Sequence, residues 1–264
     1  MKKFLLLVLS FVLGLTCLGM TACNETEPTL YVYTNSGFAP YEYLNKNGEV
    51  IGVDIDIMNE IGEALGYNIV VRDIEFDQIL NEVAKDKNAV GAAGMTKKES
   101  RDLVATASIS YATSVQYIIV PTGTFTSADL VDGKLPLSKL AGKKIGAQVG
   151  TTGYYLIDDN IALEDGEYYG TTTTVTTYKN AIVASQDIGT MVDAVIIDKL
   201  PAESICASNN NLQCFELDAE PESYVLYLNK EATELLANVN EVLEQLIADG
   251  KIAQFTINHS NAAD

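Results

Sequence analysis

Short apolar runs of β character alternate with stretches of helical spacing along this chain, and the alternation breaks once, across residues 118–140. Leu30–Tyr33 reads as a strand, and Tyr41–Leu44 with Val50–Gly52 reads as a hairpin about Asn47-Gly48. From Asp54 to Leu65 apolar side chains recur at 55, 57, 58, 61, 64 and 65, the face of a helix that Gly66 ends. Asn68–Arg72 predicts a strand, Phe76–Lys85 a helix, Ala89–Ala93 a strand of small residues, and Val115–Val120 a strong β run closed by Pro121. A second series follows the polar stretch 122–136. It comprises a strand at Lys144–Gln148, a glycine turn with a helix from Tyr154, and a strand led in by the threonines of 171–174. A helix over Tyr178–Gly189, strands at Ala194–Ile197 and Tyr224–Leu228, and a helix over Glu231–Asp249 stopped by Gly250 complete it. Such alternation implies an α/β protein with largely parallel sheets. Two sheet units joined near the break leave a cleft between lobes.

The N-terminus places the chain outside the cytoplasm. Lys2 and Lys3 precede an apolar run from Phe4 to Leu18, and small residues then lead to Cys23. Residues 1–22 read as a signal peptide, and Cys23 resembles the acylated cysteine of a bacterial lipobox, although Met20 stands where leucine is usual. Residues 23–29 form a polar lipidated linker that would tether the body to a lipid bilayer. An ordinary cleaved leader and an uncleaved anchor are the other readings. The second suffers from a short run carrying Gly14 and Gly19. The formal net charge is −19, and removing Lys2 and Lys3 makes it two units more negative. Nucleic acid is therefore no expected partner, because phosphate binding needs concentrated Lys and Arg. Cys206 and Cys214 flank an Asn-rich segment and form a candidate disulfide outside the cytoplasm, with two free thiols as the alternative. His259, the sole histidine, has no ligand-spaced neighbour, so no metal is expected.

Arg72 and Arg101 are the only arginines against fifteen lysines. A chain that takes its positive charge mainly from lysine uses arginine for its fork, which grips a carboxylate through two parallel bonds. In open parallel sheets, ligands sit beyond the carboxyl ends of strands. Three such ends carry chemistry. Gly94–Arg101 combines a close-approach glycine, the Thr96 hydroxyl and the Arg101 fork. Gly150-Thr151-Thr152-Gly153 begins a helix, whose N–H groups attract anions, but it lacks the lysine and spacing of a phosphate loop. Asp198 follows four apolar residues and can pair with an ammonium. Each has a plainer reading: a surface ion pair of Arg101 with Glu99 or Asp102, a simple turn, a helix cap at Asp198. Together they match the two charged groups of an amino acid.

Four stretches carry a family resemblance. They are Phe38–Tyr43 with Gly52–Asp56, Ala93–Thr96 with Arg101, Gly142–Gly146 with Gln148–Thr152, and Val192–Asp198. Their order and spacing resemble bacterial extracytoplasmic amino-acid-binding proteins of the polar amino-acid ABC importer family (solute-binding protein family 3), over nearly all of residues 30–258. The resemblance implies a two-lobed type II periplasmic-binding-protein fold with two hinge crossings. Lobe 1 would hold 30–114 and 225–258, lobe 2 would hold 118–222, and 259–264 would be a tail. It implies that Arg101, Thr152 and Thr151 hold a ligand carboxylate, that Asp198, Gly94 and Thr96 hold its ammonium, and that Asn35, Phe38, Phe76 and Gln148 meet its side chain. Plain core packing is the alternative for the two phenylalanines. Asn35 and Gln148 stand where relatives carry charged residues, which predicts a neutral pocket for an uncharged L-amino acid. The implied function is capture of a free L-amino acid by a lipid-anchored monomer and delivery to a membrane ABC permease, with no cofactor. Two other classes compete on this scaffold. A prearomatic amino-acid dehydratase needs an acid or base free of a binding role. A ligand-sensing ectodomain needs a membrane helix beyond the lobes, and the sequence leads us to expect none.

Overall fold

The strand Thr29–Thr34 buries every second side chain, Leu30, Val32 and Thr34, as a half-covered strand requires. It begins the computed structural model's described region, residues 27–262. The expected signal peptide, Cys23 and residues 24–26 lie outside it. Strands in chain order are β1 (Thr29–Thr34), β2 (Tyr43–Leu44), β3 (Val50–Ile51), β4 (Asn68–Asp73), β5 (Ala89–Gly91), β6 (Thr106–Ala107) and β7 (Ala112–Ser114). They continue as β8 (Gln116–Pro121), β9 (Lys144–Gln148), β10 (Thr174–Tyr178), β11 (Ala194–Asp198), β12 (Leu212–Glu216), β13 (Glu222–Tyr224) and β14 (Tyr227–Leu228).

Two sheets result, each of five strands, ordered β4-β1-β5-β14-β6 and β10-β9-β11-β8-β12. Each has its own core. The first is built on Leu30, Val32, Ile57, Met58, Ile61 and Leu226 with Val239 and Leu243; the second on Ile118, Val120, Ile145, Ile157 and Ile196. The fold is thus mixed α/β in two lobes. The sheets are less parallel than the sequence pattern predicts: β14 is antiparallel to β5 and to β6, while β8 is antiparallel to both β11 and β12. The reason is connectivity. β5, β9 and β11 run toward the space between the sheets. β8 and β14 follow crossings through that space, so they run away from it. The crossings lie side by side, since β7 and β13 pair as an antiparallel ribbon.

Several boundaries differ from the sequence pattern. The helix expected over Phe76–Lys85 is a 3-10 turn at Phe76–Gln78 and a helix at Ile79–Val83. The helix expected from Tyr178 starts at Ala181, because Asn180 accepts the Val183 N–H and caps it, while Tyr178 still belongs to β10. The run Tyr224–Leu228 is split between β13 and β14, since the two halves serve ribbon and sheet. The long helix spans Thr233–Ala248, and beyond Gly250 a further helix covers Lys251–Ala262. The segment from 259, read as a tail, therefore continues that helix. His259 is bonded at Nε2 to Asp56 at 2.9 Å and at Nδ1 to the Tyr43 hydroxyl at 3.1 Å, so it belongs to the packed body.

The helix Val53–Leu65 fixes the approach of the Phe38–Tyr43 loop. It buries Ile57, Met58 and Ile61, worth about 1.5–3 kcal/mol each. Gly52 precedes it at φ 139°, and a Cβ there would lie 2.1 Å from the Tyr41 carbonyl oxygen. Backbone cannot yield as a side-chain tip does. Gly52→Ala is expected to cost roughly 2–3 kcal/mol, a drop of about 5–10 °C in Tm for a chain of this size. A melting curve within about 2 °C of the wild type would show that the turn relaxes freely.

Candidate ligand-binding site

The strand ends that face the cleft supply the site. After β5 the chain turns at Gly94 with φ 52°, and a Cβ there would stand 2.6 Å from the Phe38 ring. Only glycine permits both the turn and this approach. The Gly94 N–H donates to Asp54 Oδ2 at 2.8 Å, and the Tyr111 hydroxyl donates to Oδ1 at 2.7 Å. Burial pushes the Asp54 carboxyl up to about 6, and these two bonds hold that rise back. Asp54 is thus a buried strut beneath the turn.

Arg101 lies in the short helix Glu99–Asp102 and is 8% exposed. Its Nη1 donates to the Thr96 carbonyl at 2.8 Å and its Nη2 to the Gly150 carbonyl, across the cleft, at 3.2 Å. Its Cζ stands 5.4 Å from the centre of the Phe76 ring. The surface ion-pair reading therefore fails: Arg101 is buried and held by carbonyls of both lobes. Burial lowers its pKa, and the charges of neighbouring acidic groups, Glu222 and Asp198 among them, oppose that.

Asp198 ends β11 inside the cleft and is 7% exposed. It holds the N-cap position of the helix that follows, but its side chain makes no bond to that helix. Gln116 Nε2 donates to its Oδ1 at 2.8 Å, and the Tyr224 hydroxyl donates to Oδ2. Burial, and after it the Glu222 charge, push its carboxyl up to about 7.

On the facing lobe the turn after β9 opens the helix Thr152–Ala162. The Thr151 hydroxyl caps it, accepting the Tyr154 N–H at 3.2 Å while donating to the Gln148 carbonyl at 2.8 Å. Its side chain is committed to the cap, which leaves the backbone as its means of meeting a ligand. The Thr152 hydroxyl donates to Glu222 Oε2 at 2.8 Å. Gln148 Nε2 donates across the cleft to Asn35 Oδ1 at 2.7 Å and to the Lys179 carbonyl at 2.8 Å. Asn35 Nδ2 donates to the Ile74 carbonyl at 2.6 Å.

All ten ligand-site residues expected from the sequence line one narrow cleft: Asn35, Phe38, Phe76, Gly94, Thr96, Arg101, Gln148, Thr151, Thr152 and Asp198. The candidate disulfide pair lies elsewhere, Cys206 on a helix and Cys214 on β12, both as free thiols. No cluster of three metal-ligating side chains occurs among the described residues.

The sequence reading missed Glu42. It is 1% exposed, lines the same cleft, and its Oε2 has no hydrogen-bond partner among the described residues. Burial, then Asp54 and Asp198, push its carboxyl well above the usual range. An acid inside an aromatic-rich hairpin was the available signal. Gln116, Glu222 and Tyr224 were missed as well.

The family model for bacterial extracellular solute-binding proteins, family 3, matches residues 30–259. The chain belongs to this family. The arginine-binding extracellular protein ArtP of Bacillus subtilis (strain 168) is 26% identical over 264 residues, covering 96% of this chain and 95% of that protein. A solved ancestral arginine-binding protein bound to arginine superposes with a TM-score of 0.76 at 28% identity, covering 88% of this chain and 97% of the other. An ancestral arginine-binding protein bound to glutamine gives a TM-score of 0.75 at 28% identity and the same coverage. The chain is accordingly an amino-acid-binding protein of an ABC transporter and not an enzyme.

The Asp198 pKa carries a pH prediction. The ionised carboxylate is the form that pairs with an ammonium, and an ammonium in the cleft would lower a pKa that stands near 7 without it. Below that pH a proton must leave before the ammonium docks, so affinity is expected to fall as pH drops from about 8 to about 5.5. The limiting slope is about tenfold per unit, with up to about one proton released per ligand bound near pH 6. Calorimetry in buffers of different ionisation enthalpy measures both quantities. Affinity that ignores pH across this range would remove Asp198 from ammonium binding.

Proposed function

We propose that this chain captures a free basic L-amino acid by closing its lobes on it, and hands it to a membrane-embedded ABC permease. One observation carries the reading. A single cleft brings together the Arg101 fork, the buried Asp198 carboxyl and the buried Glu42 carboxyl, whose Oε2 has no partner among the described residues. Arg101 and the Thr152 backbone take the ligand carboxylate. Asp198, the Gly94 carbonyl and the Thr96 hydroxyl take its ammonium. Phe38 and Phe76 flank the side chain. Glu42 replaces the neutral pocket inferred from Asn35 and Gln148: those two amides bond one another, leaving the buried acid as the unmatched group. A cationic side chain matches it, and the similarity to proteins named for arginine supports the same choice.

Lobe 1 is taken as 30–114 with 225–258 and lobe 2 as 118–222, so that ligand contacts from both lobes exist only in the closed state and shift the population toward it. Cys23 carries the lipid that holds this monomer on the outer face of the membrane. The adjoining Cys206 and Cys214 thiols bridge in that oxidising setting, which intact mass before and after reduction would read as the loss of two hydrogens. A second reading, an amide side chain, is favoured by the Asn35–Gln148 pair and by the glutamine-bound relative.

A thermal-shift panel of the twenty amino acids separates the two. Arginine or lysine is expected to stabilise most. Glutamine or asparagine in first place would select the second reading, and no response to any of the twenty would sink both. Arg101→Lys keeps the charge and loses the fork. It is expected to weaken binding by about 2 kcal/mol, as for a charge-assisted bond lost in a desolvated site. Unchanged affinity by calorimetry would take Arg101 out of the site.

A further inference from the structure

Glu222 lies on β13, in the second crossing between the lobes, and does not itself line the ligand cleft. Its contacts nonetheless converge on the residues that do. The Thr96 hydroxyl, from one lobe, donates to its Oε2. The Thr152 hydroxyl, from the other lobe, donates to the same oxygen at 2.8 Å. Gln116 Nε2 donates to its Oε1 at 3.0 Å and to Asp198 Oδ1 at 2.8 Å. Thr96 and Thr152 line the ligand cleft and also, with Glu222, a second hollow on the outer side. The two hydroxyls form a wall, with the carboxylate behind it.

We propose that Glu222 is a positioning residue that ties the two lobes and sets the direction of the Thr96 and Thr152 hydroxyls, so that the cleft is selective for a protonated amine. The reasoning is one of proton counting. A hydroxyl has a single proton and two lone pairs. Once that proton is given to Glu222, only lone pairs are left for whatever occupies the cleft. A protonated amine offers three donors and no acceptor, so it fits hydroxyls fixed in this sense. A neutral or anionic group in its place would meet acceptors only. The same carboxylate oxygen takes a hydroxyl from each lobe, so the arrangement that orients the wall is complete only when the lobes are together.

This rests on the amino-acid reading above, and the test keeps the two apart. Affinities are measured for L-arginine and for 5-guanidinopentanoate, which is arginine without its α-amine, and in parallel for L-glutamine and glutaramate. The variant is Glu222→Gln. Its amide either turns its N–H groups on the two hydroxyls or sets them against Gln116 Nε2. In neither arrangement do both hydroxyls keep their present acceptor undisturbed. The expected result is a loss of about tenfold or more in affinity for the amino acid, with little change for the amine-free analogue, so that the preference between them shrinks. A merely structural role would weaken both alike.

Thr96→Val, which deletes one directed hydroxyl, is expected to narrow the same preference and serves if Glu222→Gln fails to fold. An undiminished preference for the amine-bearing ligand in a folded variant would overturn the proposal and leave the amino-acid reading standing. Failure of the wild-type chain to bind either amino acid would overturn both.

Discussion

A guanidinium taken out of water must be repaid in hydrogen bonds, and where Arg101 finds them decides how the lobes of this protein meet. Two of its donors go to backbone carbonyls, one at Thr96 on its own lobe and one at Gly150 on the other. A neutral carbonyl satisfies a donor but does not cancel a charge, and an unpaired buried ion is costly. The compensating charge is instead spread over acids nearby, Glu222 and Asp198 among them. Cross-cleft contact and charge balance are therefore the same problem, solved in one place.

The acidic side of that balance is itself under strain. Glu42, Asp54 and Asp198 are all buried, and burial raises the pKa of each. They do not play the same part. Asp54 has both oxygens filled by Gly94 and Tyr111, so its energy goes into holding the turn at Gly94. Asp198 shares its load with Gln116 and Tyr224. Glu42 keeps an oxygen in the cleft wall without a partner among the described residues. A buried acid already satisfied contributes structure; one left unsatisfied favours whatever brings donors and positive charge. That ordering, more than the number of acids, is what the proposed fit of a cationic side chain rests on.

The sequence made the parallel half of each sheet legible and left the crossings obscure, for a physical reason. β11 is an apolar run that ends on a polar residue, and the rule that ligands sit beyond such ends found Asp198 directly, whereas Gln148 at the end of β9 came only with the family resemblance. Glycines at φ 52° and 77° marked the turns at Gly94 and Gly150. Glu42 sits at a single bridge beside a two-residue strand, where no alternation exists to tell inward from outward. Glu222 and Gln116 lie at the crossings, where the surroundings of a side chain come from the opposite lobe and no local period encodes them. The terminal helix was missed because polar residues fill most of its turns and a glycine precedes it.

Connectivity and chemistry are joined at those crossings. A strand that passes through the cleft has to leave it in the opposite sense, which is why β8 and β14 are antiparallel to the strands that end there. Their entry points therefore lie beside the ligand-facing ends of β5, β9 and β11, and residues at those entries bond the side chains that line the site. Gln116 is the first residue of β8, and Glu222 opens the ribbon strand that leads to β14. In the proposed closure these two would move with the hinge itself, so the carboxylate that receives a hydroxyl from each lobe would report the angle between them. Coupling of closure to binding then needs no long chain of intermediates, because the hinge residues and the residues behind the binding wall are the same.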